Sequence, residues 1–247
     1  MNNLFDVTGK VALVTGGTSG IGRMIVAGYV AAGMRVYLCS RKAADVEATA
    51  RALGATGLMA DLSRPDGIAG LVAQLQRSEP HLDVLVNNAG ATWSAPLETY
   101  PESGWDKVMD LNVKSVFFLT QQLLPALKAA PKAARVINIA SVNGRVPPDM
   151  ETYAYSASKA ALLMLTRHLA KRLAPDILVN AIAPGPFPSK MMAGTLEAFR
   201  EHVVSNVPLR RLGEPEDVAG IAQFLASRAS AYITGAVIPC DGGMADL

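Results

Sequence analysis

Residues 11–22 read VALVTGGTSGIG, an apolar run that passes directly into a glycine-rich turn. An alanine-rich segment with helical character follows from Gly20 onward. A strand, a glycine turn and a helix in this order are typical of the first unit of a dinucleotide-binding fold. Glycines let the backbone approach a pyrophosphate closely, and the following helix directs its free N–H groups at the phosphates. The stretch therefore predicts a nucleotide site, and the alternative is a tight turn that binds nothing.

The alternation of short apolar runs and longer helix-periodic segments continues along the chain. Strands are predicted at Val11–Thr15, Arg35–Cys39, Gly57–Ala60, Val84–Asn87, Arg135–Ala140, Leu178–Ala183 and Ala236–Pro239. Helices are predicted at Gly20–Ala32, Ala43–Leu53, Pro65–Ser78, Gly104–Leu127, Tyr155–Leu173 and Pro215–Ser227. Strands that are apolar on both faces favour a parallel sheet covered by helices. We therefore expect an α/β fold with one domain over residues 1–247, in which helices flank both faces of a parallel sheet of about seven strands.

Composition excludes several classes of function. The 247 residues are 50% hydrophobic and 18% charged, with a formal net charge of +2, which excludes a disordered chain. No basic run predicts nucleic-acid binding, and no apolar stretch predicts a membrane span. The first residues lack the pattern of a signal peptide, so we expect a cytoplasmic protein. The histidines show no metal-ligand spacing, and Cys39 and Cys240 are predicted to be buried, reduced thiols.

The end of the second predicted strand indicates which dinucleotide binds. A site that prefers NAD places an acidic residue there to hold the ribose hydroxyls. This chain has Ser40-Arg41-Lys42 instead, and the nearest acid, Asp45, lies in the next helical run. Arg41 can donate charge-assisted hydrogen bonds to a 2′-phosphate, with Ser40 and Lys42 as further donors. The residues predict NADP(H) as the cofactor, and the alternative is that Arg41 only faces solvent.

Motifs spread along the chain resemble those of the short-chain dehydrogenase/reductase family over essentially its whole length. In order they are Thr15-Gly16-x-x-x-Gly20-x-Gly22, Asn87-Asn88-Ala89-Gly90, Asn112, Ser141 with Tyr155-x-x-x-Lys159, and Pro184-Gly185. Each motif alone occurs by chance, but the ordered set is specific. The resemblance implies a single-domain, Rossmann-like fold with a doubly wound sheet, and an oxidoreductase of carbonyl and alcohol groups. It also implies a homotetramer formed through helices near residues 113–127 and 155–173.

The resemblance assigns cofactor contacts residue by residue. It implies a glycine turn that binds the cofactor through Gly16, Thr18, Ser19, Gly20, Ile21 and Gly22. Asp61 and Leu62 would contact adenine, and Asn88, Ala89 and Gly90 would pass along the adenine-side ribose. Pro184, Gly185 and Phe187 would pack against the nicotinamide. Ser189 replaces the threonine that touches the carboxamide in many relatives, and it keeps the hydroxyl but not the methyl group.

The spacing of Tyr155 and Lys159 points to acid–base catalysis. One helical turn separates the two residues, so they share a face about 6 Å apart along the axis. A free tyrosine has a pKa of about 10, and a neighbouring ammonium favours the phenolate. We therefore expect Lys159 to lower the pKa of Tyr155. Tyr153 is the rival candidate, but one turn later it is followed by Ala157, which offers no charge.

Two further polar residues complete the predicted catalytic set. Ser141 ends the fifth strand, where its hydroxyl is suited to holding the substrate oxygen as negative charge develops. The resemblance implies that Asn112 holds a water linking Lys159 to solvent, and the alternative is a helix-kinking or capping role. The expected reaction is hydride transfer between NADP(H) and a carbonyl carbon, with Tyr155 donating or accepting the proton. Because the cofactor supplies the hydride, no metal is expected.

Substrate specificity is expected to come from the loops that follow Ser141 and Gly185. Their mainly apolar side chains favour a partly hydrophobic ketone. The predicted pocket residues are Trp93, Asn143, Met191 and Met192. Some of these side chains can equally well serve only to pack the second loop. The prolines and glycine that flank this loop suit a mobile lid.

Residues 88–93 and 184–189 resemble those of 3-oxoacyl reductases, most of all the rhamnolipid-associated type. A 3-oxoacyl thioester of acyl carrier protein or coenzyme A is therefore the narrower candidate substrate. A basic patch would suit docking of a carrier protein, and its candidate members are Arg145, Lys190, Arg210 and Arg211. A regulator that binds NADP(H) without catalysis is the alternative from a different class. Such proteins tend to lose the tyrosine or the lysine, and both are present here.

Overall fold

The structure is a computed structural model that describes residues 3–245. The strands are β1 (Val11–Thr15), β2 (Arg35–Ser40), β3 (Thr56–Met59), β4 (Val84–Asn87), β5 (Ala134–Ile139), β6 (Ile177–Pro184) and β7 (Val237–Cys240). The helices are α1 (Gly20–Ala31), α2 (Ala43–Leu53), α3 (Pro65–Ser78), α4 (Glu102–Met109), α5 (Ser115–Lys128), α6 (Tyr153–Leu173), α7 (Ala193–Ser205) and α8 (Pro215–Ala226). Strands and helices alternate along most of the chain, as the periodicity predicts.

The strands form one parallel sheet. Its seven strands lie in the order β3-β2-β1-β4-β5-β6-β7, and every neighbouring pair is parallel. The predicted doubly wound α/β fold is confirmed. Strand order reverses between β1 and β4, and ligands of such sheets bind in the crevice at the carboxyl ends of the strands beside this point. The glycine turn leaves β1 at that crevice.

Helices bury an apolar layer on each face of the sheet. On one face, α3, α5 and α6 pack over the strands with a core that includes Leu13, Leu71, Leu75, Leu119 and Leu123. On the other face, α1 and α8 contribute Ile25, Val26, Ala222 and Leu225. Helices α1 and α8 approach closely because Gly28 has no side chain: a Cβ there would lie 2.6 Å from the Cβ of Ala219.

The largest departure from the predicted elements is a break in the helix expected over Gly104–Leu127. Helices α4 and α5 are joined by a π-helical turn over Asp110–Lys114. A π-turn inserts one extra residue into a helix and is frequent at functional sites. Asn112 lies in this turn and is 1% exposed. The helix-kinking alternative for Asn112 therefore has a structural basis that periodicity does not reveal.

Smaller departures concern ends and burial. Helix α6 begins at Tyr153 and not at Tyr155. Cys39 is buried as expected, whereas Cys240 on the edge strand β7 is only partly buried. Across residues 3–245, no helix combines the length and apolarity that a bilayer crossing requires. In the same range, no group of three or more His, Cys, Asp or Glu side chains is placed to hold a metal ion.

Candidate active site

The glycine turn after β1 is shaped by an asparagine of the neighbouring strand. The Asn88 Nδ2 donates to the carbonyl oxygens of Thr15 at 2.8 Å and Gly16 at 3.2 Å. A Cβ on Gly22 would lie 2.3 Å from that nitrogen, so only glycine fits there. Gly16 and Gly20 have φ values of 65° and 51°, a region that glycine adopts without strain. Asn88 is thereby a brace of the turn.

The start of α1 fits a bound phosphate. Ser19 precedes the helix in an extended conformation, and no side chain caps the first turn. The free N–H groups and the positive end of the helix dipole favour an anion at this place. Thr18 and Ile21 flank the same turn and are partly exposed. The turn therefore has the geometry that a dinucleotide pyrophosphate requires.

Thr15, the last residue of β1, joins the two strands at the crevice. Its Oγ1 accepts hydrogen bonds from the backbone N–H groups of Asn88 and Ala89, each at 2.9 Å. The same hydroxyl donates to the Val86 carbonyl at 3.3 Å. These bonds fix the exit of β4, including the predicted ribose-side residues Asn88, Ala89 and Gly90. Sequence reasoning did not assign this role to Thr15, and a hydroxyl at the end of an apolar strand is the only signal for it.

The end of β2 offers unpaired cations. Ser40 is partly exposed, and Arg41 and Lys42 are exposed. Within residues 3–245, neither basic side chain has a hydrogen-bond or ion-pair partner. Cationic donors without a partner at this edge fit a 2′-phosphate.

The predicted adenine contacts differ in what they can offer. Asp61 Oδ1 accepts from the backbone N–H and the hydroxyl of Ser63, at 3.1 and 2.8 Å. No residue among 3–245 donates a hydrogen bond to its Oδ2, which is therefore available to a ligand. Leu62 is 5% exposed and belongs to the core beneath α3. Any adenine contact of Leu62 is therefore left to its main chain.

The catalytic candidates meet at the carboxyl end of β5. Ser141 follows the strand and caps a short 3₁₀ turn over Val142–Gly144, where its Oγ accepts from the Asn143 N–H at 3.1 Å. The Ser141 hydroxyl also shares a hydrogen bond with the Tyr155 hydroxyl, which acts to lower the pKa of Tyr155. The Lys159 Nζ lies 5.5 Å from the centre of the Tyr155 ring. The predicted serine, tyrosine and lysine are thus brought together.

Lys159 is held inside the protein. Lys159 is 5% exposed, and its Nζ donates to the Ile139 carbonyl at 2.8 Å. Burial lowers the pKa of Lys159 to about 8. The close approach of the 3₁₀ turn to α6 depends on Gly144, because a Cβ there would lie 2.7 Å from the Lys159 carbonyl carbon.

The expectation of a lowered tyrosine pKa is wrong. Burial raises the pKa of Tyr155, and the Ser141 hydrogen bond opposes that shift only in part. The Lys159 Nζ lies 5.5 Å from the ring centre and donates to the Ile139 carbonyl. Because the pKa of Tyr155 is raised, its hydroxyl is protonated at neutral pH, which suits a proton donor.

Tyr153 has a different environment. It is 39% exposed and packs edge-on against Tyr100, with ring centres 5.7 Å apart. Partial desolvation and the carboxylates of Glu151 and Glu98 raise the pKa of Tyr153. No lysine or serine of the catalytic set contacts it among the described residues. The geometry favours Tyr155.

Asn112 connects three parts of the site. Its Oδ1 accepts from the Ala91 N–H at 2.8 Å, and Nδ2 donates to the Ala91 carbonyl and to the Ser158 hydroxyl, both at 2.9 Å. The side chain therefore holds the exit loop of β4 against the π-turn and α6. The water-holding role implied by the family stays a prediction. Ser158, which donates onward to the Tyr155 carbonyl at 2.7 Å, is a supporting residue that sequence reasoning missed.

A buried polar chain lies behind the catalytic candidates. Asn87 Nδ2 donates to Asn138 Oδ1 at 2.9 Å, and Asn138 Nδ2 donates to the Thr166 hydroxyl at 2.9 Å. These residues are paired across β4 and β5 and anchored on α6. Asn138 and Thr166 carry no motif, so only their polarity inside apolar segments could have signalled the network.

The segment after β6 lies over the glycine turn. A Cβ on Gly20 would be 2.9 Å from the Cβ of Ser189, and the Ser189 hydroxyl accepts from the Met192 N–H at 3.2 Å. Phe187 is 3% exposed with its ring against Gly213, so it packs into the core. Pro184 is buried, and Gly185 is pressed against Asp241. The nicotinamide contacts of these residues stay predictions.

The predicted substrate residues differ in how far they are exposed to a substrate. The Trp93 indole lies flat on Gly104 of α4, and Lys107 Nζ is 5.0 Å from its ring centre. Met191 is 45% exposed and Met192 is partly buried. Asn143 contributes its backbone to the Ser141 turn. Trp93 therefore packs against α4, whereas the exposed side chain of Met191 is accessible to a substrate.

The proposed basic patch is already engaged in separate contacts. Lys190 Nζ lies 3.7 Å from Asp45 Oδ2 on α2. Arg211 binds Asp217 on α8 through both terminal nitrogens, at 2.5 and 2.9 Å. Arg210 donates to the Ser205 carbonyl. Lys190, Arg210 and Arg211 thus contact three different helices and do not form one basic patch.

Known proteins resemble this chain over nearly its whole length. A family model described as enoyl-(acyl carrier protein) reductase matches residues 16–245. The chain is 49% identical to a rhamnolipids biosynthesis 3-oxoacyl-[acyl-carrier-protein] reductase of Pseudomonas aeruginosa, over 98% of this chain and 99% of the relative. It is 34% identical to a 5-keto-D-gluconate 5-reductase of Escherichia coli K12, over 99% of this chain and 98% of the relative.

A solved structure supports the same assignment. The Pseudomonas aeruginosa RhlG/NADP active-site complex superposes with a TM-score of 0.94 at 47% identity, covering 99% of each chain. Its cofactor is the one that Arg41 and Lys42 predict for this protein. The ordered motifs, the sheet order and these similarities together place the chain in the short-chain dehydrogenase/reductase family of oxidoreductases.

Proposed function

We propose that this protein is an NADP(H)-dependent reductase of 3-oxoacyl thioesters, acting from one domain over residues 1–247. The observation that carries the chemistry is the grouping of Ser141, Tyr155 and Lys159 beside an uncapped, glycine-rich helix start. Carbonyl reduction needs a proton donor next to the carbonyl oxygen and a hydride source next to the carbonyl carbon. The site provides the first from its own side chains and a phosphate-binding crevice for the second.

The proton-transfer role falls to Tyr155. Its raised pKa keeps the hydroxyl protonated, and the Ser141 hydroxyl lies within hydrogen-bond reach of it. A carbonyl oxygen held by both hydroxyls receives the proton as charge develops on it. Bound NADPH would supply the hydride. In the reverse direction, Tyr155 accepts the proton of an alcohol.

Lys159 and Asn112 support this step. A charge on Lys159 stabilises the phenolate that remains after Tyr155 has donated its proton. Because the pKa of Lys159 is about 8, the lysine can itself release and regain a proton near neutrality. The carbonyl of Ile139 holds the ammonium in place, and Asn112 holds the exit of β4 and α6 together. A water relay through Asn112 would return the proton to solvent.

The substrate assignment rests on similarity and on the lid. The relative at 49% identity is named as a 3-oxoacyl reductase, whereas one at 34% identity is named for a sugar acid. Exposed Met191 and partly buried Met192 and Leu196 present flexible apolar surface, which favours an acyl chain over a polyol. A carrier protein would present the thioester to this edge.

Initial rates distinguish the candidate substrates. Oxidation of NADPH is followed with a 3-oxoacyl thioester of acyl carrier protein, the same thioester of coenzyme A, 5-keto-D-gluconate and a small aliphatic ketone. We expect the highest kcat/KM with the 3-oxoacyl thioesters. Preference for the sugar acid would contradict the substrate assignment. Binding of NADPH without turnover of any ketone would instead favour a non-catalytic regulator.

Assembly into a homotetramer is part of the proposal. Helices α4 to α6 expose large apolar and aromatic side chains, and those at least 38% exposed are Trp105, Phe117, Phe118, Tyr153 and Met164. Such a surface favours association. We expect light scattering to report a tetramer and Phe117→Glu to reduce its size, whereas Met59→Glu, on the far edge strand β3, leaves it unchanged. A monomeric wild-type protein would contradict the assembly. A cytoplasmic location stays a prediction.

A further inference from the structure

The segment after β6 bridges two walls of the cofactor crevice. Ser189 lies against Gly20 of the phosphate-binding turn, and the next residue, Lys190, reaches Asp45 in the first turn of α2 at 3.7 Å. The hydrogen bond from the Met192 N–H to the Ser189 hydroxyl fixes the direction in which the segment leaves the turn. Lys190 is thereby carried to the side of the crevice where β2 ends.

Lys190 reaches the segment that follows β2 from the opposite wall. Arg41 and Lys42, which come directly after the last residue of β2, are exposed and have no partner within residues 3–245. Asp45 is the one carboxylate in the Ser40–Asp45 stretch, and Lys190 offsets its charge. The segment from Ser40 to Asp45, with Lys190 against it, therefore holds three cations and a single acid. This balance of charge favours a ligand with more negative charge than one carboxylate supplies.

The contact between Lys190 and Asp45 is easily exchanged. The two side chains are 78% and 42% exposed, and ion pairs of this exposure contribute little. A phosphate carries up to two charges and three acceptor oxygens, so it binds an ammonium more strongly than a half-exposed carboxylate does. The flexible stem of lysine allows it to change partner without moving the backbone.

We propose that Lys190 is a specificity-determining residue that leaves Asp45 to bind the 2′-phosphate of NADP(H). The inference rests on the cofactor of the proposed function. Lys190 belongs to the segment that covers the crevice, so this segment itself contributes to the discrimination between NADP(H) and NAD(H). A cofactor without the 2′-phosphate leaves Lys190 on Asp45 and gains nothing from it. Asp45 is then a competitor of the phosphate for Lys190.

Binding measurements test this role without any substrate. Dissociation constants of NADPH and NADH are determined by fluorescence titration for wild type, Lys190→Gln and Asp45→Asn. Arg41→Gln is the positive control at the end of β2. Lys171→Gln, an exposed lysine near the end of α6, is the matched control. Thermal unfolding checks that each variant is folded.

Lys190→Gln is expected to weaken NADPH about 5- to 20-fold, as the loss of one partly exposed charge-assisted bond should. NADH affinity should change less than about 2-fold, and Asp45→Asn should tighten NADPH. If Lys190→Gln lost equal affinity for NADPH and NADH, Lys190 would only hold the segment closed, and the inference would be overturned. Unchanged affinity for both cofactors would overturn it as well. Wild-type protein that binds no NADPH would overturn the proposed function as well, so the two failures are distinguishable.

Discussion

Lys159 lies in the candidate catalytic site, but burial of its charge there destabilises the folded protein. Its ammonium is almost fully buried beneath Tyr155, where it donates to the Ile139 carbonyl. A drop in pKa from 10.5 to about 8 on burial corresponds to about 3 kcal/mol against the charged form at neutral pH. Functional sites often hold such groups at the expense of folding stability.

Lys159→Met should therefore stabilise the protein while it abolishes turnover. Methionine has a similar length and no charge, but it loses the hydrogen bond to Ile139, worth about 1 kcal/mol. We expect a net gain of about 2 kcal/mol at pH 7, or about 4–8 °C in Tm, measured by thermal unfolding without cofactor. A lower Tm for the variant would contradict this account of Lys159.

The pH dependence has a definite sign. Because the folded pKa of Lys159 is below that of the unfolded chain, the unfolded state binds more protons between about pH 8 and 10.5. The contribution of Lys159 to wild-type stability therefore rises with pH across this window, and the advantage of the methionine variant should shrink there. A constant difference from pH 7 to 10 would show that Lys159 is not charged and buried.

At the scale of elements, the short 3₁₀ turn after β5 sets the distance between Ser141 and Tyr155. Gly144 permits that distance, because a Cβ would lie within 3.0 Å of three atoms of α6, two of them in its backbone. Gly144→Ala should displace the turn and lower kcat about 10-fold or more, and overpacking of this kind costs about 1–3 kcal/mol. NADPH affinity should change little.

Gly220→Ala is the control for this substitution. Gly220 is exposed on α8, and nothing lies within 4 Å of an added Cβ. Alanine at an exposed helical position stabilises by about 0.5–1 kcal/mol. Unchanged kcat in Gly144→Ala would refute the claim that the turn positions Ser141.

The start of α8 depends on Asp217. The carboxylate accepts from both terminal nitrogens of Arg211 and from the Glu214 N–H at 2.8 Å. The Arg211 hydrogen bond is the largest cause that lowers the pKa of Asp217 to about 2. The stability this gives is present above pH of about 4 and is lost as pH falls towards 2.

Asp217→Asn should therefore destabilise the protein at pH 6 by on the order of 1 kcal/mol, after allowance for solvent screening. The difference between the variant and wild type should shrink as pH falls below 4. Urea unfolding at pH 6 and pH 3 measures both values. A difference that grows on acidification would contradict the assigned role.

At the scale of the whole molecule, the sheet order brings distant residues to one edge. The glycine turn, Ser141 and the β6 exit are far apart in sequence, and they meet because parallel strands end on the same side. This part was predictable, since hydrophobic periodicity gives the strands and the order of motifs gives their ends. The helical spacing of Tyr155 and Lys159 was predictable for the same reason.

Other features depend on contacts that no local pattern encodes. The sign of the Tyr155 pKa shift follows from burial, which depends on the surrounding loops. Within the π-turn, Asn112 bonds to Ala91 and Ser158. The pairing of Lys190 with Asp45 joins elements on opposite walls. Each arises from tertiary packing between segments distant in sequence.

The central claim is that Tyr155 transfers the proton during carbonyl reduction. Its most direct test is kcat of Tyr155→Phe with NADPH and the best substrate, together with the dissociation constant of NADPH. We predict a fall in kcat of about 10²- to 10⁴-fold, with NADPH binding within about 3-fold of wild type because the ring and its packing are retained. Turnover equal to that of wild type would contradict the claim.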